Sequence, residues 1–216
     1  MEGGATGRVR GATERSAGSG ALVVPVLYDF ASTIAYVAHR VLGALEPELA
    51  AAGVALSWRP IDLAQLLRIE RDATIAAERR ENALRVAREL GVAVRAPTRW
   101  LDSRRAHAAI LLLQGSAREP SLRERVWSAV FEEAADPGEP GAVERWAAEL
   151  GIALDPVRLA RAEEDLALRT HVAEEQGVSG VPTLLLDAWP LGGIQTPETM
   201  RLLLERWSRR KRGASG

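Results

Sequence analysis

The first candidates for chemistry are two adjacent hydroxyl residues, Ser32 and Thr33, at the junction of two sequence patterns. An apolar run precedes them and a helical pattern follows, so we expect them to begin a helix. Serine is a favoured N-cap because its hydroxyl accepts a hydrogen bond from a first-turn N–H. The same end of a helix also attracts anions, because its N–H groups are unpaired and carry partial positive charge. Ser32 is therefore predicted either as a plain cap or as a contact for a bound anionic group, with Thr33 as the second hydroxyl within reach.

Two other positions could face the same ligand. Tyr36 lies four residues after Ser32, on the same helical face, and is predicted either in the packed core or as the wall of a cleft. Val181-Pro182 lies in a loop of small residues, and its peptide bond is either trans or cis. In the cis form, the Val181 backbone N–H and C=O could pair with an extended, peptide-like ligand.

The composition excludes several classes of function. The 216 residues include no cysteine, so the chain cannot form disulfides, a thiolate metal site or a dithiol redox cycle of its own. The three histidines are widely spaced, so no metal site is predicted, and the glycine-rich motifs of nucleotide sites are absent. A net charge of −1 indicates no nucleic-acid partner. No apolar run is long enough to span a membrane and no secretory signal is present, so we expect a cytoplasmic protein with no membrane partner.

The elements that must position these residues follow from the hydrophobic pattern. Residues 21–62 read as strand, helix and strand, which is typical of a βαβ unit with parallel strands. Residues 63–176 are almost entirely helical in pattern, and residues 177–208 read as two short strands and a helix. The small polar residues 1–20 predict a disordered tail, and the basic residues 209–216 predict a frayed, solvated tail.

Within the helical region, the sequence places three helix starts. Ser103 begins one helix, a Ser121/Glu124 capping box begins a second, and Asp155-Pro156 begins a long third. Thr196 is expected to cap the last helix of the chain. The predicted fold is therefore α/β, a βαβ half and a ββα half separated by a large all-helical insertion.

Four segments of this chain, in this order, resemble the DsbA-like branch of the thioredoxin superfamily. DFASTIAY at 29–36 is similar to the family's strand-to-helix motif, in which D-F-x precedes C-P-x-C-Y. SRRAH at 103–107 resembles the S-x-x-A-H start of a helix in the family's insertion. GVSGVPT at 177–183 resembles the loop that holds a cis-proline beside the active site, and GIQTPE at 193–198 resembles the step into the final helix. The resemblance covers about residues 22–208 and implies a thioredoxin-like sheet with a helical insertion.

The resemblance also implies a chemistry. Ser32 stands where the redox members have the first cysteine, as in kappa-class glutathione transferases and 2-hydroxychromene-2-carboxylate isomerases, which both use glutathione. Those relatives have proline and a second serine where this chain has Thr33 and Ala35. They also carry an Asp-Arg pair near the last helix, where this chain reads Ile194-Gln195-Thr196-Pro197.

The resulting hypothesis is a thiol-dependent isomerase or transferase acting on a small electrophilic substrate. Glutathione or another low-molecular-weight thiol would lie along Val181 and Pro182, near Thr33 and Gln195, with its sulfur at the catalytic Ser32. Because the insertion faces the cleft in relatives, Trp100 is expected to bind substrate together with Tyr36. The alternative is a catalytically silent binding protein that uses the proline groove for a peptide or small acid. Dimerisation, which is frequent among the relatives, makes a homodimer a further possibility.

Overall fold

The computed structural model describes residues 20–187 and 189–214. The prediction for residues 1–20 therefore lies, apart from Gly20, outside the described residues. Four strands form one sheet: β1 (Leu22–Tyr28), β2 (Val54–Pro60), β3 (Thr183–Leu186) and β4 (Trp189–Gly192). Their order in the sheet is β2-β1-β3-β4.

The sheet has the predicted thioredoxin-like topology. Strand β1 pairs in parallel with β2 and antiparallel with β3, and β3 pairs antiparallel with β4. Helix α1 (Thr33–Ala51) connects the two parallel strands, and α8 (Pro197–Gly213) follows β4 and packs against α1. The register pairs Leu27 with Thr183, so the C-terminal end of β1 and the beginning of β3 lie at the same end of the sheet.

The insertion between β2 and β3 is helical, as the pattern predicts. It contains α2 (Leu63–Leu67), α3 (Ala77–Glu89), α4 (Arg104–Leu113), α5 (Glu119–Phe131), α6 (Ala142–Glu149) and α7 (Pro156–Glu175). The insertion and the sheet share one apolar core, in which β1 residues such as Val26 and Tyr28 contact the same cluster as Trp127 of α5.

The start predicted for α5 is wrong. The helix begins at Glu119, before Ser121, with Pro120 in its first turn. Proline is tolerated there because N–H groups in the first turn of a helix have no acceptor within the helix, so the N–H that proline lacks costs no helical hydrogen bond. Glu124 consequently lies inside the helix, where its carboxylate binds His39 and Arg40 of α1 instead of closing a capping box.

The predicted frayed tail is also wrong for residues 209–213, which continue α8. The end of this helix is docked on the β1–α1–β2 unit. The Ser208 hydroxyl and the Arg212 guanidinium donate to the Ala52 carbonyl at 3.3 and 2.9 Å, and Arg212 also donates to the Gly53 carbonyl at 3.0 Å. The bonds to the Ala52 carbonyl cap the C-terminus of α1, and the bond to the Gly53 carbonyl joins one that this carbonyl already accepts from the Leu22 N–H at 2.9 Å.

Candidate functional site

Ser32 lies in the turn between the end of β1 and the start of α1. Its backbone is extended, and its side-chain oxygen accepts a hydrogen bond from the Ala35 N–H at 3.2 Å. Its own N–H donates to the Asp29 carbonyl at 3.0 Å, which closes the turn. The residue is 8 % exposed. The prediction that Ser32 caps this helix is confirmed, and the capping bond uses one lone pair of an oxygen that has two.

Asp29 holds the turn that presents Ser32. Its Oδ1 accepts hydrogen bonds from the Ala31 N–H at 2.7 Å and the Ser103 hydroxyl at 2.6 Å, and its Oδ2 accepts from the Leu63 N–H at 2.6 Å. With 1 % of its surface exposed, this carboxylate is a buried junction between β1, α2 and the beginning of α4. A buried charge needs such partners, because removal from water is otherwise costly.

His107 completes this junction. Its Nε2 lies 3.1 Å from Asp29 Oδ1, and its ring stacks on Phe30 with the centroids 4.9 Å apart. Burial raises the pKa of Asp29, but the nearby His107 imidazole and the hydrogen bonds from Ala31 and Ser103 outweigh it, so the net pKa lies below the ordinary value. Sequence reasoning treated the Asp29 motif and the Ser103–His107 motif separately and missed that they meet in space.

The Val181–Pro182 loop approaches the same end of the sheet, and its peptide bond is cis. Two hydrogen bonds hold the loop: the Thr183 hydroxyl donates to the Gly180 carbonyl at 2.7 Å, and the Gly193 N–H donates to the Pro182 carbonyl at 2.8 Å. Neither the N–H nor the C=O of Val181 is hydrogen-bonded within residues 20–187 and 189–214. The main chain at Val181 therefore has a donor and an acceptor to offer to a ligand.

The other two predicted cofactor contacts lie on neighbouring segments. Thr33 is the first residue of α1 and is 9 % exposed. Gln195 is exposed, two residues after Gly193, whose N–H ties that turn to Pro182. The structure thus brings Ser32, Thr33, Val181, Pro182 and Gln195 to one end of the sheet.

Tyr36 is packed in the core, one of the two alternatives that the sequence left open. It is 2 % exposed, and its ring stacks on Phe131 with the centroids 4.7 Å apart. Its hydroxyl donates to Glu132 at 2.9 Å and accepts from the Arg40 Nε at 3.1 Å, while burial raises the pKa of the phenol. The side chain is therefore occupied by contacts between α1 and α5.

Trp100 is packed as well, at 7 % exposure. Its indole belongs to the same apolar cluster as Leu27 and Val178, against which Val181 packs. The guanidinium of Arg79 lies 4.8 Å from the centre of the Trp100 ring, a cation–π distance. Trp100 therefore belongs to the apolar cluster on which the proline loop packs. Its predicted role in binding substrate stays a prediction, as does that of Tyr36.

A second group of charged side chains, which sequence reasoning missed, lies between α1 and α5. His39 Nε2 is 2.7 Å from Glu124 Oε2, the Arg40 guanidinium binds Glu124 at 2.5 Å, and Arg123 lies over the Trp58 ring. Burial is the main reason that the pKa of His39 is lowered. The hydrogen bond from His39, opposed by partial burial and reinforced by Arg40, lowers the pKa of Glu124 to about 2. A cavity of about 300 Å³ opens beside this group.

The family model for the DSBA-like thioredoxin domain matches residues 23–205, so the chain belongs to this family. No sequence among the curated proteins matches the chain.

Two solved structures illustrate how far the fold is shared. A 2-hydroxychromene-2-carboxylate isomerase superposes with a TM-score of 0.67 at 22 % identity, over 89 % of this chain and 98 % of that one. The cytosolic disulfide reductase DsbM from Pseudomonas aeruginosa, solved with GSH, superposes with a TM-score of 0.59 at 20 % identity, over 87 % of this chain and 100 % of that one. At these identities the similarity establishes the fold.

Among the helices in the described residues, none has the length and apolar character needed to cross a bilayer. The same residues contain no group of three or more histidine, aspartate or glutamate side chains arranged to hold a metal ion.

Proposed function

We propose that the protein binds a low-molecular-weight thiol of the glutathione type and uses it in an isomerisation or transfer reaction on a small electrophilic substrate. The observation that carries the proposal is the position of Ser32. Its hydroxyl stands at the N-terminus of a 19-residue helix, at the same end of the sheet as the unpaired main-chain groups of Val181.

The residues present fit such a group in two respects. The N-terminus of α1 stabilises negative charge, so a thiol held there would have a lowered pKa and a larger thiolate fraction at neutral pH. The Val181 N–H and C=O match the donor and acceptor of a peptide backbone lying in extended form. When bound, the thiol would supply the nucleophile that this cysteine-free chain lacks.

The chain's own residues would orient the bound thiol and polarise its sulfur. The Ser32 hydroxyl would donate a hydrogen bond to the sulfur while its oxygen continues to accept from Ala35. Asp29 would act only on the turn: by holding the Ala31 N–H and the Ser103 hydroxyl, it keeps Ser32 at the helix N-terminus. Arg79, for which no carboxylate partner is found in the described residues, would add positive charge beside Trp100, in a part of the fold other than residues 194–197, where the relatives' Asp-Arg pair is missing.

A second candidate is a catalytically silent binding protein, and one observation favours it. Ser32 already satisfies an N-cap bond and is 8 % exposed, which is sufficient to explain a serine at this position without a ligand. Such a protein would bind a peptide or small acid through the main chain of Val181.

Calorimetric titration separates the two candidates. We expect saturable binding of reduced glutathione and weaker binding of S-methylglutathione, because the methyl group removes the thiolate. Ser32→Ala should weaken glutathione binding, whereas Asp155→Ala, which removes the cap of α7, should leave it unchanged. Both variants are expected to lose about 0.5–2 kcal/mol of stability. Absence of glutathione binding at millimolar concentration, together with binding of a short peptide, would favour the silent protein.

The electrostatic part of the proposal has an independent test. Because the chain has no cysteine, Ser32→Cys introduces a single thiol whose ionisation can be followed by thiolate absorbance. We expect its pKa to lie clearly below the ordinary value of about 8.5. Ala93→Cys, at an exposed position outside the helices, should titrate near that ordinary value. Equal pKa values in the two variants would show that this site does not stabilise a thiolate.

A further inference from the structure

An apolar groove runs between the edge strand β4 and helix α8. Leu186, Trp189 and Leu191 form its sheet side, and Leu202 and Leu203 form its helix side. Its volume is about 650 Å³, in the range of small-molecule sites. The groove shares no residue with the Ser32 site, so a ligand in the groove would be independent of the proposed function.

Trp189 is the feature of this groove that most needs an explanation. It is 72 % exposed, the highest value among the large apolar side chains in the described part of the chain. A tryptophan presents about 150–250 Å² of mostly apolar surface, which water covers poorly. A surface of this kind next to an open groove is typical of a binding site.

The charged side chains that line the groove indicate which kind of ligand it could bind. Arg206 and Arg210 line it one helical turn apart, and no carboxylate pairs with either of them within residues 20–187 and 189–214. Two acidic side chains near the groove are engaged with other cations: Glu205, next to Arg206 in sequence, pairs with Arg201, and Asp187, which accepts from the Trp207 Nε1–H at 3.3 Å, pairs with Lys211. The groove therefore joins an apolar wall to two uncompensated positive charges.

A further strand is a poor occupant. β4 is at the edge of the sheet, but Pro190 lies in its middle and lacks the N–H that an added strand would need. A second copy of this chain would bring the same two arginines to the contact, which is unfavourable at a two-fold interface.

We propose that this groove binds an amphipathic carboxylate of the fatty-acid class. The hydrocarbon chain lies against Trp189 and the leucines, and the carboxylate accepts hydrogen bonds from Arg206 and Arg210. Guanidinium groups suit this role because their paired N–H donors match the two carboxylate oxygens.

Dodecanoate, titrated into the full chain below its micellar range, tests the proposal. Binding is followed by calorimetry and by the indole N–H signals in ¹H–¹⁵N correlation spectra, with the Trp189 signal assigned from Trp189→Phe. We expect saturable binding that shifts the Trp189 signal, and at least tenfold weaker binding of dodecyltrimethylammonium, which has the same chain length and the opposite charge. The double variant Arg206→Gln/Arg210→Gln should weaken dodecanoate about fivefold or more, because two exposed charge pairs are lost.

The matched control is Arg158→Gln/Arg161→Gln, which removes the same charge from α7 and should leave binding unchanged. Equal affinity for the cationic amphiphile, or equal loss of affinity in both double variants, would overturn the proposal. So would a chain that sediments as a dimer and becomes monomeric in Trp189→Glu, because the groove would then be a subunit interface. No dodecanoate binding at all would overturn it too.

Discussion

Replacing Asp29 by asparagine tests whether the buried junction really organises the turn before Ser32. The substitution keeps the shape of the side chain but removes its charge and turns one acceptor oxygen into an NH₂ group. If the amide oxygen stays with Ala31 and Ser103, the NH₂ faces the Leu63 N–H, which now donates at 2.6 Å to Oδ2. A buried donor is thereby left without an acceptor.

The magnitude follows from these contacts. An unsatisfied buried donor costs about 1–3 kcal/mol, and a hydrogen bond to a charged group, such as those that Asp29 accepts from Ala31 and Ser103, contributes about 1.5–3 kcal/mol, which a neutral amide replaces only in part. We therefore expect Asp29→Asn to lower the free energy of unfolding by about 3 kcal/mol at pH 7. Asp155→Asn, the same chemical change at an exposed N-cap, should stay within about 0.5 kcal/mol, because asparagine caps as well as aspartate.

The dependence on pH supplies a second readout. Because the pKa of folded Asp29 lies below its ordinary value of 3.8, the carboxylate contributes stability above that pH and loses it as the pH falls through the folded pKa. The difference between the parent chain and Asp29→Asn, measured by urea unfolding, should therefore shrink below about pH 4. A loss under about 1 kcal/mol at pH 7, or a difference that stays constant in acid, would refute the reasoning.

Two further predictions concern α1. The Glu124 carboxyl should titrate with a pKa of about 2 by ¹³C NMR, and His39→Gln should raise that pKa, because the hydrogen bond from His39 is the main cause of the shift; an unchanged value would contradict this account. Gly53→Ala should destabilise the chain by about 1–2 kcal/mol in urea unfolding, because Gly53 has φ +67 and an added Cβ would displace Arg212 from its carbonyls. Gly43→Ala, inside α1 with open space around it, should instead stabilise the chain by about 0.5–1 kcal/mol, and the same sign in both variants would disprove the argument.

Much of the architecture could be predicted because its causes are local. The apolar run at β1 and the caps at Ser32, Asp155 and Thr196 each depend on residues within about one helical turn. The family resemblance then predicted how these elements assemble, as a thioredoxin-like sheet with a helical insertion, and the match to the DSBA-like thioredoxin domain confirms the family assignment. The start of α5 was missed because Ser121 offered a better cap than the structure uses, while Pro120 was compatible with an earlier turn.

The candidate site likewise has one part that the sequence predicts and another that depends on the tertiary structure. The sequence alone identified the hydroxyl at the helix start and the loop of Val181 and Pro182, since turn chemistry and capping are properties of neighbouring residues. Only the tertiary structure decided that Tyr36 and Trp100 are packed and that the Asp29 carboxylate binds Ser103, 74 residues further along the chain. It also decided that α8 continues to Gly213, because carbonyls 159 and 160 residues away accept hydrogen bonds from Arg212. The stability of a buried charge or of a helix end depends on the partners that the folded path brings to it, and these partners are distant in sequence.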